Sequence, residues 1–300
     1  MKIEPALTAR SATATGVSPA RGFVVPLGLA RFARSKPLGA AGGALVALVV
    51  FLAACGPTIT HNPTRISPRT QEGPSLDHYF GTDTLGRDYF ARIVAGARTS
   101  MVLSIAAMAI GTGIALLIGM ISAYAAGMVD LLVQRFVDVM LAFPGLILLL
   151  FFASIFGPTQ WAVAAALGLL FAPGLARLVR AVTLATLAEP YVDAAKGIGA
   201  PAHRILWRHV FPNIAPPLVI FVTAGLGGVI LAEGALSFLG LGVQPPTPSW
   251  GRQLTEARAY WRLPWLSLFP GLAIMLTVLG FNLLGDALRD TWDPRLRRGS

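Results

Sequence analysis

Few residues in this chain have the type and spacing to do chemistry. The four histidines, His61, His78, His203 and His209, form two pairs separated by long apolar runs. They cannot converge on one metal, and no H-E-x-x-H sets two of them on one helix face. No G-x-x-x-x-G-K-[ST] is present to cradle phosphates; "GTDTLGRD" at 81–88 has the glycines without the lysine. The single cysteine, Cys55, excludes an internal disulfide and a thiolate metal cluster. No serine has a plausible base beside it. The pattern therefore offers no catalytic, cofactor-binding or metal-binding constellation. Two features remain. Glu233 is the only acid well inside an apolar run, which makes it a functional candidate by default. It reads either as a proton relay in an ion-coupled secondary transporter or channel, or as a hydrogen-bonded carboxyl that fixes helix packing. The lack of a second ionisable group at similar depth favours packing. The other feature is a polar stretch, "YVDAAKGIGAPAHRILWRHVFPN" at 191–213, between two apolar runs.

The elements that position these residues are membrane helices. The 300 residues are 55% hydrophobic and 13% charged, against about 25% charged in soluble domains. The net charge of +10 does not point to nucleic acid, because the bases sit between apolar runs rather than on one face. A lipid bilayer is the expected surrounding. A crossing helix needs about 20 apolar residues, and the runs at 38–56, 100–125, 139–157, 161–180, 216–240 and 266–286 predict six spans. The fourth is the weakest, since it holds Pro173 and ends in Arg177 and Arg180. With both termini in the cytoplasm, two-thirds of the 24 Lys and Arg residues fall inside, as the positive-inside rule requires. Cys55 ends a "LAAC" that resembles a lipoprotein signal; the reading adopted is the outer end of the first span.

The outer loop at 57–98 ends in Phe90, Ile93, Val94 and Ala97, whose spacing predicts a separate amphipathic helix at the outer interface. The second outer loop, 241–265, opens with "GVQPPTPSWG", which forbids a regular helix. Small residues at 111–119 and 225–228 allow close helix contacts, and Pro144 and Pro173 predict kinks.

The polar stretch reads as a short helix, a break at Gly199 and Pro201, and a second helix from His203 to Val210 ending before Pro212 and Asn213. Ala195 and Gly199, four apart, share a helical face without bulk, open to another protein's surface. Asp193 and Lys196 support each other at i, i+3.

The spacing of "DAAKGIG" and "HVFP" resembles the E-A-A-x3-G-x9-I-x-L-P motif of ABC importer permeases. "GTDTLGRDYFARIVAGARTS", "QRFVDVMLAFPGLIL", "LAEGALSFLGLGVQPPTPSWG" and "FPGLAIMLTVLGFNLLGDALRDTWDPRL" resemble the C-type permease of the peptide/nickel (oligopeptide/dipeptide) branch. Asp193 replaces the motif's Glu, and His209 and Phe211 its Ile and Leu.

The resemblance implies an all-α membrane protein of the type I ABC importer permease fold, in a bacterial inner membrane. It implies a tail at 1–37, a first helix and outer loop at 38–98, a permease domain at 99–288 with a coupling loop at 185–215, and a second tail at 289–300. Tyr191, Asp193, Ala194, Ala195, Gly199, Arg204, His209 and Pro212 are the expected ATPase-coupling residues. The implied partners are a second, related permease forming a heterodimer, two cytoplasmic ATP-binding subunits and an extracytoplasmic solute-binding protein. ATP hydrolysis would lie on the partners, so the chain itself is expected not to be an enzyme. Peptides are the first expected solutes, nickel the next.

Overall fold

Proline and glycine decide where the apolar runs start and stop. The computed structural model describes residues 33–60 and 62–292; most of both predicted tails, and His61, lie outside them. Helix α1 (Pro37–Ile59) opens on a proline, whose missing N–H is unneeded in a first turn. Cys55 lies within this helix, half-buried. Helix α1 packs on the last helix of the chain through Gly42, where a Cβ would come within 2.7 Å of Leu283.

Helix α2 (Tyr89–Ala125) is capped by Asp88, whose side chain accepts from the Ala91 amide. Its 37 residues span about 55 Å at 1.5 Å each, well beyond the roughly 30 Å hydrocarbon layer. The separate interfacial helix expected at 90–97 is instead the start of α2. No breaker interrupts the run, and Ile93, Val94 and Ala97 are buried. Trp250 closes over this end, donating its indole N–H to the Ile93 carbonyl at 2.9 Å.

The third span departs most from expectation. Instead of one helix over 139–157 there are α3 (Gly127–Ala142) and α4 (Gly145–Phe156), bent by 101°. Pro144 removes an amide donor and pushes Phe143 into an extended conformation, φ −75° and ψ 140°. The expected kink is a complete break. The turn from α2 into α3 is tight as well, with positive φ at both Ala126 and Gly127.

Helix α5 (Gln160–Leu187), capped by the Thr159 hydroxyl, is the span that Pro173, Arg177 and Arg180 mark as weakest in sequence, yet it is the most buried of the long helices. Its alanines and glycines let α2 approach closely. A Cβ on Gly111 of α2 would lie 2.8 Å from the Gly168 carbonyl oxygen, and one on Gly119 would lie 2.7 Å from that of Ala176. Helices α6 (Pro190–Gly197) and α7 (Ala202–Ile205) follow, then a π-helical turn at 206–210 that runs directly into α8 (Phe211–Phe238). Within the second loop lies α9 (Trp250–Ala257), capped by Ser249, and the described chain closes with α10 (Trp265–Trp292).

Among the described residues five helices are long and apolar enough to cross a membrane, and the bent α3–α4 pair makes up to six. Among the described residues there is no strand beyond a bridge pairing Thr82 with Asp88. The buried side chains form two clusters. One joins α2, α5 and α8 to Val192, Ile205 and Val210 of the polar stretch. The other, at the opposite end of the bundle, gathers Tyr89, Ile93, Trp250 and Leu266.

Candidate functional site

The polar stretch is built as a seated loop. Helix α5 ends at Leu187, and the extended Glu189 lets Pro190 start α6. Val192 and Ala195, three apart, turn inward and are buried. Ala195 therefore packs against the chain's own body and is not part of an open face with Gly199, as the spacing had suggested. The helix periodicity is right, but the inward direction is set by Val192, which is fully buried.

Helix α6 ends in a Schellman motif. The Gly199 amide donates to the Lys196 carbonyl at 2.9 Å, and the Ala200 amide donates to that of Ala195 at 3.0 Å. Gly199 sits at φ +78°, and no atom lies within 4 Å of where its Cβ would be. The left-handed cap needs glycine, and the space beyond it is open. Ile198 beside it is 88% exposed. Sequence reasoning passed over this residue; its signal was an isoleucine held between two glycines at a helix end.

Tyr191, Asp193, Ala194, Arg204 and Pro212 are exposed, and His209 is half-buried. Asp193 and Lys196 pair at 3.1 Å on the surface. The Tyr191 and His209 rings lie 5.9 Å apart. Asn213 donates to the His209 carbonyl at 2.6 Å and to the Tyr191 hydroxyl at 3.3 Å. These contacts tie the first and last turns of the loop together. The second helix does not stop before Pro212, as the sequence suggested. A regular ladder would need an amide at Pro212, and the wider turn at 206–210 carries the helix past it. Ile205 and Val210 anchor that turn in the core, while Trp207 is exposed on the opposite side.

Glu233 lies toward the other end of α8 and is buried. Its Oε1 accepts from the Ser237 hydroxyl at 2.7 Å and from the Ser249 hydroxyl at 3.0 Å. Because Ser249 also caps α9, the carboxyl ties α8 to α9. This is the packing reading of Glu233, and none of the geometry favours a relay. Among the described residues no cluster of His, Cys, Asp and Glu could hold a metal. His78 pairs with Asp88 at 2.9 Å, far along the chain from His203 and His209.

At the same end as Glu233 lies a charge cluster that the sequence did not reveal. Arg92, almost fully buried, reaches Glu256 at 2.9 Å and Asp83 at 3.4 Å. Arg87 pairs with Asp83 at 2.6 Å, and Arg252 with Glu256 at 3.2 Å. Arg87–Asp83 and Arg252–Glu256 are i, i+4 pairs, but Arg92 and Glu256 lie 164 residues apart, so local spacing could not signal that the two pairs meet.

Against known proteins, the family model for the binding-protein-dependent transport system inner membrane component matches residues 115–298. The dipeptide transport system permease protein DppC of Alkalihalophilus pseudofirmus is 38% identical over 268 residues, covering 88% of each chain. The glutathione transport system permease protein GsiD of Pectobacterium atrosepticum is 42% identical over 230 residues, 76% of each. That of Escherichia coli is 44% identical over 226 residues, 75% of each. A solved structure titled as an amino acid ABC transporter with histidines superposes with a TM-score of 0.53 at 17% identity, over 68% of this chain and 95% of that one. This last likeness concerns the fold.

Proposed function

The chain belongs to the family of binding-protein-dependent transport system inner membrane components, and we propose that its loop at 185–215 is where a cytoplasmic ATP-binding subunit docks. The chain is a permease subunit of an ABC importer of the peptide/nickel type, a multi-pass inner membrane protein and not an enzyme. Such a permease works with an ATPase, another permease and a binding protein. In the assembly proposed here the other permease is a related chain forming a heterodimer, and there are two ATP-binding subunits. Both termini are cytoplasmic, a sidedness supported by the distribution of Lys and Arg. The first helix and loop at 38–98 flank a permease domain at 99–288. The solutes are short peptides, as the names of the dipeptide and glutathione relatives suggest.

One observation carries the docking proposal: the loop is rigid on one side and open on the other. Val192, Ile205 and Val210 fix it to the core, while Ile198 and the bare Gly199 face outward. A partner's groove can accept such a knob, and the buried side makes the loop move as one piece with α5 and α8. ATP binding would draw the ATP-binding subunits together, and the loop would pass that displacement to the spans. Tyr191, Asp193, Ala194, Gly199, Arg204, His209 and Pro212 form the knob, with Ala195 seating it from below.

The test is Gly199→Glu, followed in proteoliposomes that contain the permeases, ATP-binding subunits and binding protein. The readout is uptake of labelled dialanine or glutathione, whichever the wild-type complex accumulates. The added carboxylate meets open space within this chain, and a side chain at this left-handed position costs about 1–2 kcal/mol at one exposed cap, so insertion and folding should persist while uptake is abolished. Uptake at the wild-type level would refute the docking role.

A further inference from the structure

Helix α3 is an arm with almost no apolar hold on the bundle. Of its sixteen residues only Val137 is buried, and Leu132, Phe136 and Val139 are exposed. It is hinged at both ends, by the positive-φ pair Ala126 and Gly127 and by the 101° break at Phe143 and Pro144. What fastens it is ionic. Arg180 of α5 grips Asp130 with two parallel hydrogen bonds, Nε to Oδ1 at 2.7 Å and Nη2 to Oδ2. Arg177 donates to Asp138 at 2.5 Å. The two arginines lie one turn apart on α5, and the two aspartates lie two turns apart on α3. The rungs therefore hold the arm at two points and fix its direction as well as its distance.

Helix α5 is also the helix that ends in the docking loop. Arg180 lies seven residues before Leu187, about 10 Å along the axis. We propose that Asp130–Arg180 and Asp138–Arg177 are a transmission latch, positioning residues that make the α3–α4 arm follow α5 when the docking loop is displaced. A bidentate arginine–carboxylate pair suits this work, because its planar fork fixes orientation as a single apolar contact does not. The arm's two hinges let it swing without unfolding.

This proposal rests on the docking role of the loop, and the experiment separates the two. In the reconstituted complex, Asp130→Asn keeps the side chain's shape and removes its charge. Assembly and basal ATP hydrolysis should remain. Binding-protein-stimulated hydrolysis and uptake of dialanine or glutathione should fall roughly tenfold, the scale at which residues along a coupling route act. The exchanged pair Asp130→Arg with Arg180→Asp should recover most of that loss, which a purely local packing role would not produce. Uptake by Asp130→Asn within about twofold of wild type would overturn the latch.

A second variant guards against misfolding. Asp130→Cys with Arg180→Cys, in a Cys55→Ser background, should give poor uptake until the two thiols are joined by a short bifunctional reagent, and improved uptake afterwards. A cross-link verified on gels that leaves uptake unrestored would also overturn the latch. Gly199→Glu run in parallel assigns the failure. If it too transports normally, the docking reading falls; if it is inactive while Asp130→Asn is active, only the latch falls.

Discussion

The contact between α2 and α5 can be tested with two substitutions of one kind in one helix. Gly111 and Gly113 are both glycines of α2, two residues apart. A Cβ on Gly111 would stand 2.8 Å from the Gly168 carbonyl oxygen, where ordinary contact begins near 3.4 Å; a Cβ on Gly113 would meet nothing within 4 Å. In Gly111→Ala the helices must therefore part by about 0.6 Å, the difference between those two distances. The retreat cannot stay local. Gly168 faces the Ala107 carbonyl, and Gly119 faces Ala176 and Val179 on the same seam, and a Cβ on either would come within 3 Å of these neighbours. A gap of that size forfeits a quarter or more of each dispersion contact along the seam, and overpacking costs about 1–3 kcal/mol. Both substitutions share the gain of about 0.5–1 kcal/mol from replacing a helical glycine. That gain cancels between them, so their difference, about 1–3 kcal/mol, reports the close approach alone. The assay is the thermal midpoint of the purified protein in one detergent–lipid mixture. Gly113→Ala should match or exceed wild type, and Gly111→Ala should fall several degrees below it. Equal midpoints for the two variants would refute a helix seam built on absent side chains.

Glu233 gives a second contrast. Glu233→Gln keeps an acceptor for Ser237 and Ser249 and should sustain ATP-dependent uptake, whereas Glu233→Ala strands both hydroxyls and should cost about 1–3 kcal/mol in thermal stability; loss of uptake in the stable Gln variant would revive a proton-relay role. Arg92→Met leaves Asp83 and Glu256 with Arg87 and Arg252 but without their buried bridge, and should destabilise that end by about 3 kcal/mol. Trypsin cleavage at Arg65 and Arg69 should then accelerate, and an unchanged cleavage rate would mean that the cluster does not fasten the loop.

Much of this architecture was legible in the sequence because hydropathy is a local sum. Five spans, the break at Gly199–Pro201 and the order of the family's motifs need only neighbouring residues. The rest depends on direction or on distant partners. Hydropathy marks 139–157 as apolar but cannot say that Pro144 turns the chain by 101°. Pro173, Arg177 and Arg180 make α5 the weakest span in sequence, although its alanines and glycines bring it close to α2. Periodicity put Ala195 and Gly199 on one face, yet the fully buried Val192 decides which side of α6 points inward.

The charges divide in the same way, and that division bears on function. At the Glu233 end, the two carboxylates Asp83 and Glu256 are shared among three arginines, Arg87, Arg92 and Arg252, within the chain. Beside α3, Asp130 and Asp138 are matched by Arg180 and Arg177. In the docking loop Arg204 and Arg208 are exposed, and among the described residues no carboxylate lies within ion-pair distance of either. In the docking proposed for this loop, these two exposed cations stand with the bare Gly199 and the exposed Ile198 on the side turned to the partner, whose surface supplies their complement. That complement needs an acidic rim for the arginines around an apolar slot for Ile198. Under the same proposal the firmly seated inner side has a use: a knob that yielded under its partner would transmit nothing to α5.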